Sequence, residues 1–263
     1  MLSGVIPTGL FTQSYDRVKD GTWDRDREIR YLAETLEEAY WHYLGRGSYV
    51  EFDYFADEWA RTYPPTEQRD RARSDTLAAI YSIYHQLCTP KLPKAVCTKE
   101  MSHPNRYYTY LDVKYIIVEE LDSTNYKSIS RNRAQRSEKI LSPFLPEHPE
   151  ARPLYLAKEY LDALDRFLGN EAERFNKENR IPNRSIEESF ARAAALQYLF
   201  EMNNGHWGGW IYESEPRLYF VAFNKELDWA YVEFGSRDQG YCRLYHKEQG
   251  NWKEVLKCSS WIQ

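Results

Sequence analysis

The sequence predicts an α+β protein on three observations. Apolar residues recur at helical spacing early in the chain, four short aromatic and β-branched runs crowd its end, and both patterns lapse between them. From Asp24 the residues Ile29, Leu32, Leu36, Ala39, Tyr43 and Leu44 mark a helix that Asp24 or Asp26 can cap and Gly45-Arg46-Gly47 can end. A short second helix carries Phe52, Phe55, Trp59 and Ala60 and stops before Pro64-Pro65. A third starts at Thr66, buries Leu77, Ile80, Ile83, Tyr84 and Leu87, and closes at Pro90. Pro90 to Asn105 reads as a loop, and Tyr107 to Leu121 as one long strand or two short ones.

Residues Ser123 to Pro153 keep no hydrophobic period. They carry Lys127, Arg131, Arg133, Arg136 and Lys139, then Pro143, Pro146, Pro149 and Pro153, and read as an ordered loop or linker. Two helices follow. The first presents Leu154, Leu156, Tyr160, Leu161, Leu164 and Phe167, and stops at Gly169 or runs on to Asn179. The second begins near Ser185, with Glu188 completing a capping box, and runs through Phe190, Ala194, Leu196 and Leu199. Arg217–Phe223, Trp229–Phe234, Tyr241–His246 and Trp252–Ser259 are strands joined by Gly, Asn and Asp, too closely spaced to be anything but antiparallel. The expected organisation is a mainly helical part over 1–122 with a short β segment and a basic, Pro-rich connector over 123–153. A helix-plus-sheet part over 154–263 completes it, its helices packed on a four-stranded antiparallel sheet. The two parts can share one core.

Composition narrows the function classes. The 263 residues hold 35 basic and 40 acidic side chains, a net charge of −5, and 22 tyrosines. An acidic balance disfavours a general nucleic-acid binder, which needs surplus Lys and Arg for phosphates, and would suit a basic protein partner. The absence of a long apolar run argues against a membrane span. The N-terminal residues lack the basic lead and apolar stretch of a secretory signal. Four scattered cysteines, Cys88, Cys97, Cys242 and Cys258, do not suggest a disulfide scaffold, which leaves a reducing cytoplasm as the expected compartment.

The run Gly205-His206-Trp207-Gly208-Gly209-Trp210, the stretch Phe223 to Val232, Gly240, Gly250-Asn251-Trp252 and Trp261-Ile262 together carry a resemblance. Residues 185–263 look like a β-rich C-terminal module of uncharacterised bacterial proteins and are similar to the curved sheet of the NTF2-like (cystatin-like) superfamily. The resemblance implies a sheet and no activity, since such sheets host enzymes, binding modules and interfaces alike. No catalytic residue and no cofactor follows from it.

The leading functional expectation is a non-enzymatic binding protein, an immunity-type inhibitor that covers a toxin or effector. Trp41, Tyr49 and Tyr54 lie among Asp53, Asp57 and Glu58 near the first loop, with Glu34, Glu37 and Glu38 close by, and rings for anchoring beside charges for steering suit a protein interface. Trp207 and Trp210 are a second pair of candidate contact residues, unless they simply pack under the helices of 154–203. The alternative is a hydrolase with a cleft at His206 and Glu213 or Glu215 as carboxylate partner. A third reading is a zinc site from His85, Cys88, Cys97 and His103, in which one helical turn aligns the first two and a loop returns the others. Asp112-Val113-Lys114 has the carboxylate–lysine half of a metal-dependent nuclease, for which Glu51 or Asp53 would supply a second carboxylate. The basic stretch from Lys127 to Lys139 reads as a solvated loop or one paired with Glu119, Glu120 and Asp122.

Overall fold

Asp24 opens the first helix by accepting a hydrogen bond from the Arg27 N–H at 2.8 Å, and α1 runs Arg25–Arg46. It ends at Gly47, whose left-handed backbone (φ 65°) lets its N–H reach the Tyr43 carbonyl at 2.7 Å. The computed structural model describes residues 24–62, 75–88, 107–131, 139–141, 152–169, 184–204, 209–236 and 239–262. After α1 come α2 (Val50–Thr62), α3 (Asp75–Cys88), α4 (Tyr126–Arg131), α5 (Lys158–Leu168) and α6 (Ile186–Leu196). The expected loop at 90–105 and the start of the third helix at Thr66 lie outside the described residues.

The strands are β1 (Tyr107–Tyr110), β2 (Val113–Val118), β3 (Lys139–Leu141), β4 (Arg152–Tyr155), β5 (Asn203–Asn204) and β6 (Trp210–Ile211), then β7 (Arg217–Asn224), β8 (Trp229–Ser236), β9 (Gln239–Glu248) and β10 (Asn251–Ile262). The last four form the expected antiparallel succession. Their sheet is nevertheless six-stranded and mixed, in the order β10-β9-β8-β7-β2-β3, because β2 runs parallel to β7 and β3 caps the edge. Parallel pairing needs a long connection, and here the whole of 119–216 supplies it.

The helices are placed differently from expectation. The C-terminal helices α5 and α6 do not lie on the sheet; they join α1 and α2 in a separate helical core around Leu36, Phe52, Trp59, Leu164, Phe167 and Leu196. The helix on the sheet is α3, whose Ala79, Ile80, Ile83 and Tyr84 pack on Val221, Phe223, Val232 and Trp252. An amphipathic stripe states that a helix is buried, not what buries it. The other sheet face, with Ile116, Phe220, Tyr231 and Leu244, is closed by Tyr126 and Ile129 of α4. That helix and β3 fall inside the stretch read as a connector, and β4 straddles its end, so Leu154 lies on a strand and Leu156 precedes the helix that begins at Lys158. They escaped detection because six, three and four residues are too short to show a period. Asp122 caps the turn into α4, accepting from the Thr124 and Asn125 N–H groups at 2.7 and 3.0 Å. Pro153 is tolerated in β4 because that strand pairs with β1 alone.

Two devices join the cores. Trp59 is fully buried, stacks on Tyr160 at 4.5 Å and donates its indole N–H to the Tyr155 carbonyl of β4 at 2.7 Å. At β1, the Thr109 N–H donates to Ser214 Oγ at 3.0 Å and the Ser214 N–H to Thr109 Oγ1 at 3.1 Å, while the Thr109 hydroxyl donates to the Tyr212 carbonyl. Both side chains are buried, so every polar group there must find a protein partner. With β1 and β2 only two residues apart but in different sheets, the parts drawn at 1–122 and 154–263 interlock.

Cys242 is disulfide-bonded, and its partner residue across the β9–β10 ladder is Cys258. No helix among the described residues is long and apolar enough to cross a membrane.

Thr109→Val keeps the side-chain shape but removes the hydroxyl from Tyr212 and Ser214. Urea unfolding should show a loss of about 1–3 kcal/mol. A loss below about 0.5 kcal/mol would mean that the Thr109–Ser214 link does not hold the cores together.

Candidate binding surface

The side chains expected to grip a partner fall into two groups. Asp57 accepts from the Tyr107 hydroxyl at 2.7 Å and from Arg152 at 2.5 Å. Burial acts to raise its carboxyl, but those two hydrogen bonds prevail and hold it below the usual carboxylate range. Asp53 accepts from the Tyr198 hydroxyl at 3.1 Å, Glu58 pairs with Arg61, and Glu51 meets His42 at 2.8 Å. Tyr49 is sandwiched between Tyr43 and Tyr198, with centroids at 4.6 and 3.9 Å. These residues are engaged within the fold. Trp41 and Tyr54, by contrast, are exposed at 61% and 45%.

Trp207 and His206 lie outside the described residues, as do Cys97, His103 and the Cys88 side chain; His85 is exposed. Among the described residues no group of three or more His, Cys, Asp or Glu side chains is placed to hold a metal ion. Asp112 accepts from the Tyr155 hydroxyl at 2.8 Å, and Lys114 is exposed on β2. Glu213 lines a cavity of about 10 Å³ with Tyr84, Tyr108, Tyr110 and Arg217, room for one water and not for a substrate. Glu215 precedes Pro216 through a cis peptide bond.

What the sequence reading missed is the orientation of α6. Its N-cap is Ser185, as expected, but Phe190 and Ala194 face solvent. The buried side holds Ser189, Arg192, Ala193 and Leu196 instead. Arg192 is 2% exposed; its guanidinium lies 4.7 Å from the Tyr40 ring and 4.9 Å from the Phe167 ring. It donates to Glu37 at 2.7 Å and Glu188 at 3.1 Å, and Arg184 donates to the same two carboxylates. Burial tends to raise the Glu188 carboxyl, but the hydrogen bonds from Arg192 and Arg184 bring it below its ordinary range. A helix that buries its arginine must turn its other face out. Ile186 (54% exposed), Phe190 (46%), Ala191 and Ala194 form that outer face, and Trp210 leans edge-on against Phe190 at 5.2 Å.

The neighbouring helix extends the apolar face. Glu37, Trp41 and Leu44 lie at i, i+4 and i+7, one flank of α1, and Glu37 is paired with α6. Trp41 and Leu44 (53% exposed) therefore border α6. The two helices run in the same direction, since Glu37 meets Arg184 and Arg192 while Tyr49, beyond the end of α1, meets Tyr198 beyond the end of α6. By helical periodicity Ala191 and Ala194 lie on the side of α6 toward Arg184 and its partner Glu37, and Ile186 and Phe190 on the side away from them. Exposed apolar groups collected into a strip in this way mark contact sites.

Comparison of the chain with family models, with curated proteins and with solved structures gave no match.

Two predictions follow from these contacts. Arg192→Ala leaves Glu37 and Glu188 short of a partner beneath the strip and strips packing from Tyr40 and Phe167. The expected loss in unfolding free energy lies near the lower end of about 3–5 kcal/mol, because both carboxylates still reach water. A value under about 1 kcal/mol would show that the network does not orient α6. The second concerns pH. Burial raises the Asp165 carboxyl, outweighing the 2.6 Å hydrogen bond it accepts from the Tyr212 hydroxyl, and burial raises Glu213 against the pull of Arg217. Between the ordinary carboxylate range and these raised values the folded state holds more protons than the unfolded chain, so stability through both groups falls as pH rises. Asp165→Asn retains an acceptor for Tyr212 and abolishes the charge. Denaturation at pH 4.5 and 7 should therefore show the variant gaining stability relative to wild type as pH rises, with no loss at pH 7. Equal destabilisation at both pH values would contradict this.

Proposed function

We propose that the protein is a binding protein whose contact face is the α1–α6 strip. The observation that carries the reading is the inverted helix α6, which buries an arginine and presents Ile186, Phe190 and two alanines to solvent. A monomer gains nothing by exposing these side chains, whereas a partner that covers them recovers about 1.5–3 kcal/mol for each large one. The immunity-type reading narrows the partner to a toxin or effector, with the overall charge of −5 favouring a basic one. The NTF2-like resemblance of residues 185–263 is a proposal about the sheet and lends the strip no chemistry. The exposed apolar side chains favour protein binding over the hydrolase alternative, whose His206 lies outside the described residues.

Affinity capture from the source cell with wild type and with a Trp41→Asp/Phe190→Asp double variant tests this reading. The wild type should hold a stoichiometric protein partner and the variant should retain at most about a tenth of it, as expected when two anchor residues of about 2 kcal/mol are lost. Circular dichroism and thermal unfolding should match, since both side chains are exposed. Full retention of the partner by the folded double variant overturns the reading.

A further inference from the structure

The strip also has a shape and a charge that select its occupant. We infer that it receives an amphipathic helix of the partner with apolar residues along one face and Lys or Arg on its flanks; this rests on the binding reading above.

The floor is made of Ala191 and Ala194, which carry nothing beyond Cβ, while Trp41 and Leu44 on one wall and Ile186 and Phe190 on the other stand well exposed. Helices pack with axes about 8–10 Å apart, and small floor residues permit such an approach between two rows of larger side chains. A strand would fare worse. The walls and floor are helices, whose mid-helix backbone N–H and C=O groups are paired internally, so an extended segment would bury its own backbone groups without partners. A helix brings its backbone already satisfied.

The charge is one-sided. Glu34 and Glu38 are exposed on α1, two turns and one turn before Trp41, and Glu187 is exposed on α6 in line with Ala191 and Ala194, at the start of their row. Arg30, one turn before Glu34, is a cation exposed on the same stretch of α1. Arg184 and Arg192 are engaged with Glu37 and Glu188. The surface around the strip therefore offers Glu34, Glu38 and Glu187 against Arg27 and Arg30, which lie farther from Trp41 along α1, a field complementary to Lys or Arg flanking an apolar stripe. A second copy of this chain would bring the same three carboxylates, so like charge opposes self-association through this face.

Two synthetic helical peptides of about sixteen residues test the inference by calorimetry. Both carry Leu at i, i+3, i+4 and i+7; one has Lys at the flanking positions and its twin has Glu. The Lys peptide should bind at least tenfold more tightly than the Glu twin. Trp41→Ser and Phe190→Ser should each weaken it about tenfold, and a Glu34→Gln/Glu38→Gln/Glu187→Gln variant should erase the preference for Lys. Light scattering should find the free protein monomeric at tens of micromolar. Equal affinity for the two peptides, no binding of either, or indifference to Trp41 and Phe190 overturns the helix inference. A dimer dissociated by Phe190→Ser overturns it in favour of a second copy. The binding reading itself is judged separately, by whether the Trp41→Asp/Phe190→Asp variant loses the intact partner.

Discussion

The arrangement of the helical half depends on where one guanidinium lies. Arg192 cannot leave water without acceptors, and its acceptors are Glu37 on α1 and Glu188 on its own helix. The two rings beneath it, Tyr40 of α1 and Phe167 of α5, meet its flat face, so three helices converge on this side chain. Because the directions of these partners are set by the packing of α1 on α5, the rotation of α6 about its axis is set as well. The outward stripe of Ile186, Phe190 and Ala194 is the geometric consequence. The buried ion pair and the exposed apolar strip are thus one feature seen from two sides.

The seam between the helical core and the sheet obeys a related constraint. Asp165 and Tyr212 meet there, beside Glu213 and Ser214, and the neighbouring strand β1 supplies Thr109. Tyr212 is buried, and its hydroxyl is pushed upward by burial and by the Asp165 charge, so it serves as a donor and Asp165 as its acceptor. Asp165 and Glu213 are held above the ordinary range by desolvation, whereas Asp57 and Glu188 are held below it by hydrogen bonds that prevail over burial. Burial against pairing decides the direction, and sequence neighbours play little part. Acidification consequently pulls on the fold in opposite senses at the seam and at the helix–helix contacts.

Local signals in the chain were legible and long-range ones were not. Asp24, Gly47 and Ser185 cap their helices in the structure as their chemistry suggests, and Asn224 holds the β7–β8 turn by accepting from the Asp228 and Trp229 N–H groups at 3.1 and 2.9 Å. Each of these contacts spans five residues or fewer. The parallel pairing of Lys114 with Phe220, by contrast, joins segments that share no local signature, and so β2 could not be assigned to the C-terminal sheet. For α6 the sequence offers two apolar faces, one through Phe190 and Ala194 and one through Ala193 and Leu196. Choosing between them requires the knowledge that Glu37 lies opposite Arg192, a contact with no local trace. The acidic and aromatic richness near the first loop was visible, yet its division into engaged and exposed residues depends on Tyr107, Arg152 and Tyr198, all distant in sequence.

That division bears on how such a surface would discriminate. Had Asp53, Asp57 and Glu58 all faced water, charge would have dominated encounter, and any basic protein would have been drawn to them. Instead their charge is largely met by Tyr198, by Tyr107 with Arg152, and by Arg61, which leaves the field to Glu34, Glu38 and Glu187 around an apolar trough. Recognition then requires a shape that fits between Trp41 and Phe190 before charge can contribute at short range. Three carboxylates screened over about 8 Å at physiological salt steer weakly but reject an acidic competitor once it is seated. Selectivity by fit, with charge acting as a veto, follows from the same burial of Arg192 that turned the apolar side of α6 outward.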